Sequence, residues 1–476
     1  MEPMELAERL GRWSSGRGPL HALLSSALRR LIEEGELPAG APLPPDRALA
    51  AALAVARGTV IAAYETLRAE DRIERRQGSG TRVAGTPGTP PQETTAQPAF
   101  LHLMEPRDGV LMHACAAPQA PPPELVDAYS RILPRLAATT GDIGYHPAGH
   151  PVLREAVAED YTRRGLPTGP DQIMVTNGGQ HALALLARAL LTPGDRVLVE
   201  APTYPGALEA FREEAAVPRA LPPGLAGFAE AVRDHRPALA YAVPTFHNPT
   251  GTTLPPAARR ALAEAAAADS VPLIDDEVLA RLPFPGEEVP PPLASHAPEG
   301  TVLSVGSLSK LVWGGLRVGW VRATPQTVAR LARLRAVHDI GGNIPAQLVA
   351  AELLPALPQT DPARARERAA GHDRLRAQLA RHLPDWEAPP VRGGQTLWVR
   401  LPRGDGAAFA QTALRHGVAV LPGAGLDAGG GSREFLRLHF RLDEAELTEG
   451  VRRLARAWHA YDDTRRPTAA RPVMAV

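Results

Sequence analysis

The chain contains one lysine, Lys310, in the run Gly306-Ser307-Leu308-Ser309-Lys310, and the rest of its 52 lysine and arginine positions are arginine. Arginine fills nearly any surface role of lysine, but its guanidinium stays protonated to above about pH 12. A desolvated lysine amine can lose its proton and condense with an aldehyde. A lysine kept against such a drift marks a position where a primary amine is required. Beside it stand Ser307, Ser309 and, seven residues on, Arg317. One amine, two hydroxyls and a guanidinium can together address a phosphorylated aldehyde.

Four more polar clusters follow apolar runs. Asn177-Gly178-Gly179-Gln180 comes after Ile173-Met174-Val175 and opens a helix; backbone amides unobstructed by Cβ make an anion seat there. Ala201-Pro202-Thr203-Tyr204-Pro205-Gly206 offers Tyr204 as a flat face for an aromatic ring. His247-Asn248-Pro249-Thr250-Gly251 holds Asn248 as a hydrogen-bond donor on a rigid turn, and Asp275-Asp276-Glu277 puts a carboxylate directly after Ile274. Each has an ordinary explanation taken alone: a turn glycine, a core tyrosine, a proline turn. Their shared position at strand ends joins them.

The elements that must position these groups are short apolar runs alternating with helical segments. The runs are Ile173–Val175, Val197–Val199, Ala238–Val243, Val271–Ile274, Val302–Val305 and Gly319–Val321, with helices from Gly179, after Pro205, and from Pro255 to Ala268. Continuous apolar strands between helices predict an α/β domain with a mostly parallel sheet covered on both faces. Ligands in such folds bind beyond the carboxyl ends of the strands.

Composition narrows the class. No run of about 18 apolar residues is present to span a bilayer as a helix. The opening Met1-Glu2-Pro3-Met4-Glu5 has no basic segment followed by an apolar one, so no secretory signal is expected and the expected location is the cytoplasm. Cys115 is the only cysteine, which excludes an internal disulfide and a cysteine-based zinc site; no metal is expected. From Ala84 to Pro98 the chain is rich in Pro, Gly and Thr and lacks periodicity, as a linker does. The division read from this is a module at 1–83, a linker at 84–104, a large domain at 105–462 and a polar tail at 463–476.

In the module, Leu20, Leu23, Leu24, Leu28, Leu31 and Ile32 recur at helical spacing up to Gly35. A second helix follows Pro44-Pro45, and a third runs from Arg57 to about Glu70 with Val60, Ile61, Tyr64 and Leu67 inward. Ile73 to Val83 then alternates around Gly78-Ser79-Gly80 as a hairpin would. Three helices and a hairpin make a winged helix-turn-helix, with the third helix as reader of the major groove. Residues 1–83 carry twelve arginines against eleven acids, so basicity is local. Arg47, Arg57, Arg75 and Arg76 are the candidates for phosphate neutralisation.

The module resembles the GntR-type winged helix family. The matching elements are Gly35-Glu36-Leu37-Pro38-Ala39-Gly40, Leu43-Pro44-Pro45-Asp46-Arg47, Leu53-Ala54-Val55-Ala56-Arg57-Gly58-Thr59-Val60, Ala63-Tyr64-Glu65-Thr66-Leu67 and Gly78-Ser79-Gly80-Thr81. The resemblance implies DNA contacts from Arg47, Arg57, Thr59, Gly78 and Gly80. Pro45 and Ala56 stand where the family usually has serine; at Ala56 this forfeits a side-chain cap worth about 1 kcal/mol.

The large domain resembles the fold-type I pyridoxal 5′-phosphate enzymes, the aminotransferase family. By that resemblance Lys310 would join the cofactor's aldehyde, Asp276 would pair with its ring nitrogen, Asn248 would bond its phenolic oxygen and Tyr204 would stack on its ring. Gly178, Gly179, Gln180, Ser307, Ser309 and Arg317 would hold its phosphate. Tyr145, in Gly144-Tyr145-His146-Pro147-Ala148-Gly149, would reach the partner subunit's phosphate. Arg437, in Leu436-Arg437-Leu438-His439-Phe440, would grip a substrate carboxylate. The family's tyrosine two or three residues after the aspartate is replaced by Val278 and Leu279. That removes a donor to the phenolic oxygen and predicts poor turnover.

A GntR-type reader, a linker and an aminotransferase-like domain in this order resemble the MocR family of bacterial regulators. That implies a head-to-tail homodimer binding double-stranded operator DNA, with pyridoxal phosphate, alone or joined to an amino acid or amine, as effector. The alternative is a working aminotransferase tethered to DNA by its reader.

Overall fold

The computed structural model describes residues 3–84, 108–357 and 362–461, apart from 11, 12, 16, 17, 34, 35, 38, 39, 71 and 77–79. Most of the expected linker, all of the tail after residue 462 and the wing residue Gly78 therefore lie outside the described residues.

The reader opens with a helix the sequence pattern did not announce, α1 (Pro3–Leu10), followed by α2 (Leu20–Glu33), β1 (Pro42–Leu43), α3 (Asp46–Ala52), α4 (Arg57–Ala69), β2 (Ile73–Arg76) and β3 (Gly80–Val83). The strands form a sheet in the order β1-β3-β2, the wing. Leu6, Leu10, Leu24, Leu28, Leu31, Leu49, Val60 and Leu67 fill its core, each contributing about 1.5–3 kcal/mol by burial. Polar ties fix the helix angles. Arg29 on α2 forks onto both oxygens of Glu70 at 2.8 and 2.7 Å, and the Tyr64 hydroxyl on α4 donates to the Pro44 carbonyl at 2.9 Å. No side-chain cap bond forms at Ala56, as the missing serine implies.

The large domain follows in chain order as β4 (Leu111–Met112), α5 (Pro123–Ala137), α6 (Pro151–Arg163), β5 (Ile173–Thr176), α7 (Gly179–Leu190), β6 (Arg196–Glu200), α8 (Pro205–Glu213), β7 (Val217–Leu221), α9 (Phe228–His235), β8 (Leu239–Ala242), α10 (Pro256–Ala268), β9 (Leu273–Asp276), β10 (Val302–Ser307), β11 (Gly319–Arg322), α11 (Pro325–His338), α12 (Ile344–Leu353), α13 (Pro362–His382), β12 (Thr396–Arg400), α14 (Gly406–Arg415), β13 (Val418–Ala419), β14 (Leu421–Pro422), β15 (Phe435–His439) and α15 (Glu444–Ala460). Seven strands form the main sheet in the order β5-β11-β10-β9-β8-β6-β7. All its pairings are parallel except those of β11, which runs antiparallel to both neighbours. One apolar cluster packs α7, α8 and α11 on one face, and another packs α9 and α10 on the opposite side. A smaller sheet, β12-β15-β14, carries α13, α14 and α15.

Two buried histidines stitch β4 to that smaller unit. His439 Nε2 meets the Met112 carbonyl at 2.6 Å and His113 Nδ1 meets the His439 carbonyl at 3.3 Å. Burial holds His113 down to about 4 and His439 well below the ordinary histidine value. Both are neutral in the fold and gain protons only on unfolding. Their stabilisation is present above an unfolded value of about 6.5 and is lost as pH falls toward 4. The unfolding free energy should therefore drop through that window, by about 1.4 kcal/mol per pH unit for each histidine, and the urea midpoint with it. His113→Gln should flatten the slope by one proton. A midpoint indifferent to pH between 6.5 and 4.5 would refute this.

Candidate functional site

The expected groups converge at the carboxyl ends of the parallel strands. Lys310 lies just past β10, half-buried, and its Nζ donates to the Ala116 carbonyl at 2.7 Å. Burial lowers its amine below the usual lysine value; nearby Cys115 opposes that shift, while Arg437 and Arg317 reinforce it. Ser307 and Ser309 share a 2.9 Å hydroxyl bond beside it, and Ser309 N donates to Ser307 Oγ.

Three acids end β9, and the sheet sorts them. Glu277 Oε2 receives Arg164 at 3.0 Å, and Asp275 Oδ2 receives the Leu293 amide. Asp276 instead receives the Tyr241 hydroxyl on Oδ2 at 2.6 Å and the Val278 amide on Oδ1 at 3.0 Å. It is 5% exposed and has no cationic partner among the described residues. Burial pushes its carboxyl up, and the two neutral donors oppose that. A buried carboxylate supported only by neutral groups fits a cation brought by a ligand, such as a protonated ring nitrogen.

Tyr204, at the start of α8, donates to Gln180 Oε1 at 3.0 Å, and Gln180 Nε2 donates to the Gly206 carbonyl at 2.7 Å. Tyr204 lies within electrostatic reach of Asp276, Arg437 and Cys115. Arg437 on β15 is buried. Its Nη1 donates to Asn248 Oδ1 at 3.0 Å and its Nη2 to the Ala114 carbonyl, leaving Nε without a hydrogen-bond partner. With Oδ1 committed, Asn248 keeps its amide N–H groups to give. Burial brings the Arg437 guanidinium down to about 10.

The expected anion seat lies where backbone segments approach closely. Gly178 has φ +91°, and a Cβ there would lie 2.8 Å from Arg317 Nη2; a Cβ on Gly319 would lie 2.7 Å from the Gly178 backbone. Arg317 is exposed, holds a left-handed φ of 54° and donates to the Asn177 carbonyl. Strain of that kind is kept where geometry matters. Tyr145 is 62% exposed on a loop. That loop is tied by Asp142, which accepts the Gly144 amide at 2.7 Å and His146 Nε2 at 2.9 Å.

In the reader, Arg47 is exposed at the start of α3. Arg57 is 62% exposed but paired to Asp46, its Nη2 at 2.9 Å from Oδ2. Thr59 is half-buried in the first turn of α4, and Gly80 opens β3. The side chains of Arg75 and Arg76 fall outside the described residues.

Three contributors went unseen in the sequence. Tyr241, the Ala114–Ala116 segment and Gln395, whose Nε2 donates to the Lys310 carbonyl at 3.3 Å, carry no motif. The only signal for Tyr241 was a hydroxyl inside an otherwise apolar strand.

Comparison with known proteins matches residues 112–454 to the aminotransferase class I and II family and residues 24–83 to the gntR family of bacterial regulatory proteins. The HTH-type transcriptional regulator TauR of Rhodobacter capsulatus is 30% identical over 93% of this chain and 97% of its own length. The probable rhizopine catabolism regulatory protein MocR of Rhizobium meliloti is 31% identical over 77% of this chain and 78% of its own. The chain belongs to the MocR family. Among solved structures, the α-aminoadipate aminotransferase LysN of Thermus thermophilus, complexed with N-(5′-phosphopyridoxyl)-L-leucine, superposes with a TM-score of 0.67. It is 31% identical and covers 74% of this chain and 93% of its own. This MocR-type chain is thus a GntR-type regulator fused to an aminotransferase domain whose family cofactor is pyridoxal phosphate. No helix among the described residues is long and apolar enough to cross a membrane.

Proposed function

We propose that the chain is a cytoplasmic transcriptional regulator whose affinity for operator DNA is set by pyridoxal phosphate bound at Lys310, alone or joined to an amino compound. The observation that carries this is the one lysine, its amine desolvated just past β10, together with a buried carboxylate at the end of the neighbouring parallel strand β9 that lacks a cationic partner among the described residues. When bound, the cofactor supplies an electrophilic aldehyde and an electron-accepting ring. Lys310 offers the amine. Asp276 holds the ring nitrogen, Asn248 donates to the phenolic oxygen and Tyr204 gives a stacking face. Gly178, Gly179, Gln180, Ser307, Ser309 and Arg317 hold the phosphate, and Arg437 receives a carboxylate on the N–H groups it has left. In the reader, Arg47, Arg57, Thr59, Arg75, Arg76, Gly78 and Gly80 are the residues assigned to DNA contact, by the resemblance to the GntR-type family.

The functional unit in this reading is a head-to-tail dimer. On α5, Val126, Tyr129 and Leu133 recur along one face at 57%, 38% and 59% exposure, while Leu125, Ala128 and Ile132 fill the other. Ile143, Tyr145 and Val337 are also exposed on that domain. An apolar stripe of this kind asks for cover, and a second copy gives it while bringing Tyr145 to the partner's phosphate seat.

For an effector to act it must bind two dimer arrangements unequally, by about 1–3 kcal/mol in ordinary cases. The experiment is a gel shift on the intergenic DNA upstream of the gene, titrated with and without pyridoxal phosphate and amino acids. Expected is a change in affinity of about 5- to 150-fold; an unchanged affinity and footprint would remove the effector role. The aminotransferase reading is favoured by the other expected groups near Lys310 and opposed by Val278 and Leu279, which give no donor to the phenolic oxygen. Keto-acid formation at about 1 per second or faster would support it.

A further inference from the structure

The partner that holds Asp276 is not part of any motif. Tyr241 lies on β8, in parallel register opposite Ile274 on β9. Ile274 and Asp276 share a face of the strand because side chains alternate with period two, and Asp276 lies roughly 6.6 Å further along it. A tyrosine beside Ile274 has the reach to set its hydroxyl at that carboxylate, and the 2.6 Å bond shows that it does. Tyr241 is fully buried, and its ring meets Phe211 of α8 edge-on, with centroids 5.8 Å apart. Its only freedom is the hydroxyl rotor.

We infer that Tyr241 is a positioning residue for the cofactor, holding Asp276 in the orientation in which its carboxylate meets the ring nitrogen. The inference rests on the assignment of Asp276 to that nitrogen. The Tyr241 hydroxyl and the Val278 amide take one lone pair on each carboxylate oxygen, so the group cannot swing and a free lone pair remains for the ring. A hydroxyl donating to a carboxylate at this distance is of the strong, charge-assisted kind. Burial holds the phenol well above its ordinary value, so it stays a donor at any working pH. It also favours the ionised form of an acid that has no arginine or histidine paired to it among the described residues.

A buried tyrosine that merely found a partner would look similar in the fold, so the test needs a readout of the cofactor itself. Pyridoxal phosphate affinity, and the pH midpoint of its visible absorption when bound, are to be measured on the full-length wild type, Tyr241→Phe, Asp276→Asn and the double variant. Expected is a loss of about tenfold or more in affinity for Tyr241→Phe, with a shifted midpoint. In the Asp276→Asn background the same change should cost less than about twofold, because its target charge is gone. Wild-type affinity and midpoint in Tyr241→Phe would overturn the inference, as would an equal loss in both backgrounds, which signals packing. If Asp276→Asn itself behaves as wild type, the assignment of Asp276 falls and this inference with it. If Asp276→Asn is impaired while Tyr241→Phe is not, the inference alone fails.

Discussion

Lys310→Arg is expected to lose the visible absorption of bound pyridoxal phosphate and all borohydride labelling at position 310, while its circular dichroism and unfolding midpoint stay near those of the wild type. Arginine keeps the positive charge and can still donate to the Ala116 carbonyl, so no buried acceptor is left bare. What it lacks is an amine that can shed its proton. Covalent attachment is then impossible, and the affinity left is that of the noncovalent contacts alone, lower on the order of 100-fold or more. The effector dependence of DNA binding should disappear with it. Mass spectrometry after reduction decides the matter. A wild-type peptide unlabelled at Lys310 would remove the chemical basis of the proposed regulation. A Lys310→Arg protein that still responds to the cofactor would show that attachment is dispensable.

Leu133→Asp is expected to convert the protein from dimer to monomer. Leu133 is 59% exposed within one subunit, so a charge there leaves the monomer's fold within about 0.5 kcal/mol of the wild type. Across a dimer interface the same carboxylate would be buried without a partner, at a cost of several kcal/mol. Two readers held together gain on the order of 100- to 10,000-fold over one by effective concentration, and that gain should vanish from the operator titration. In the proposed head-to-tail dimer cofactor affinity should fall as well, since Tyr145 of one subunit would no longer reach the other's phosphate seat. Sedimentation at micromolar concentration is the direct measurement. An intact dimer with unchanged DNA affinity would mean that the α5 stripe faces something else.

Much of this was legible in the chain because the chemistry sits at strand ends. There a run of apolar residues gives way to polar groups that have no packing reason to be there. Lys310, Asp276 and Asn248 drew notice in that way, and so did the glycines of the expected phosphate seat. Tyr241 did not, because a tyrosine within Leu239-Ala240-Tyr241-Ala242 reads as core until the register of β8 on β9 is known. The Ala114–Ala116 segment was equally silent: it contributes carbonyl oxygens, which every residue has. The antiparallel course of β11 is likewise a matter of connection. Gly319-Trp320-Val321 is as apolar as its parallel neighbours, and only the short return from Ser307 through Leu316 fixes its direction. In the reader, α1 was missed because Leu6 and Leu10 alone are too few to establish a period.

The bond from Arg437 to Asn248 has a consequence for what the domain can distinguish. The guanidinium that would greet a ligand's carboxylate is the same group that orients the amide assigned to the ring oxygen. An anion settling on Arg437 would take N–H groups that Asn248 and the Ala114 carbonyl leave over, and would share one guanidinium with both. An amine without a carboxylate leaves that division undisturbed. In the proposed reading, acidic and non-acidic amines would therefore leave different electronic imprints on one and the same chromophore, legible as colour before any DNA is added.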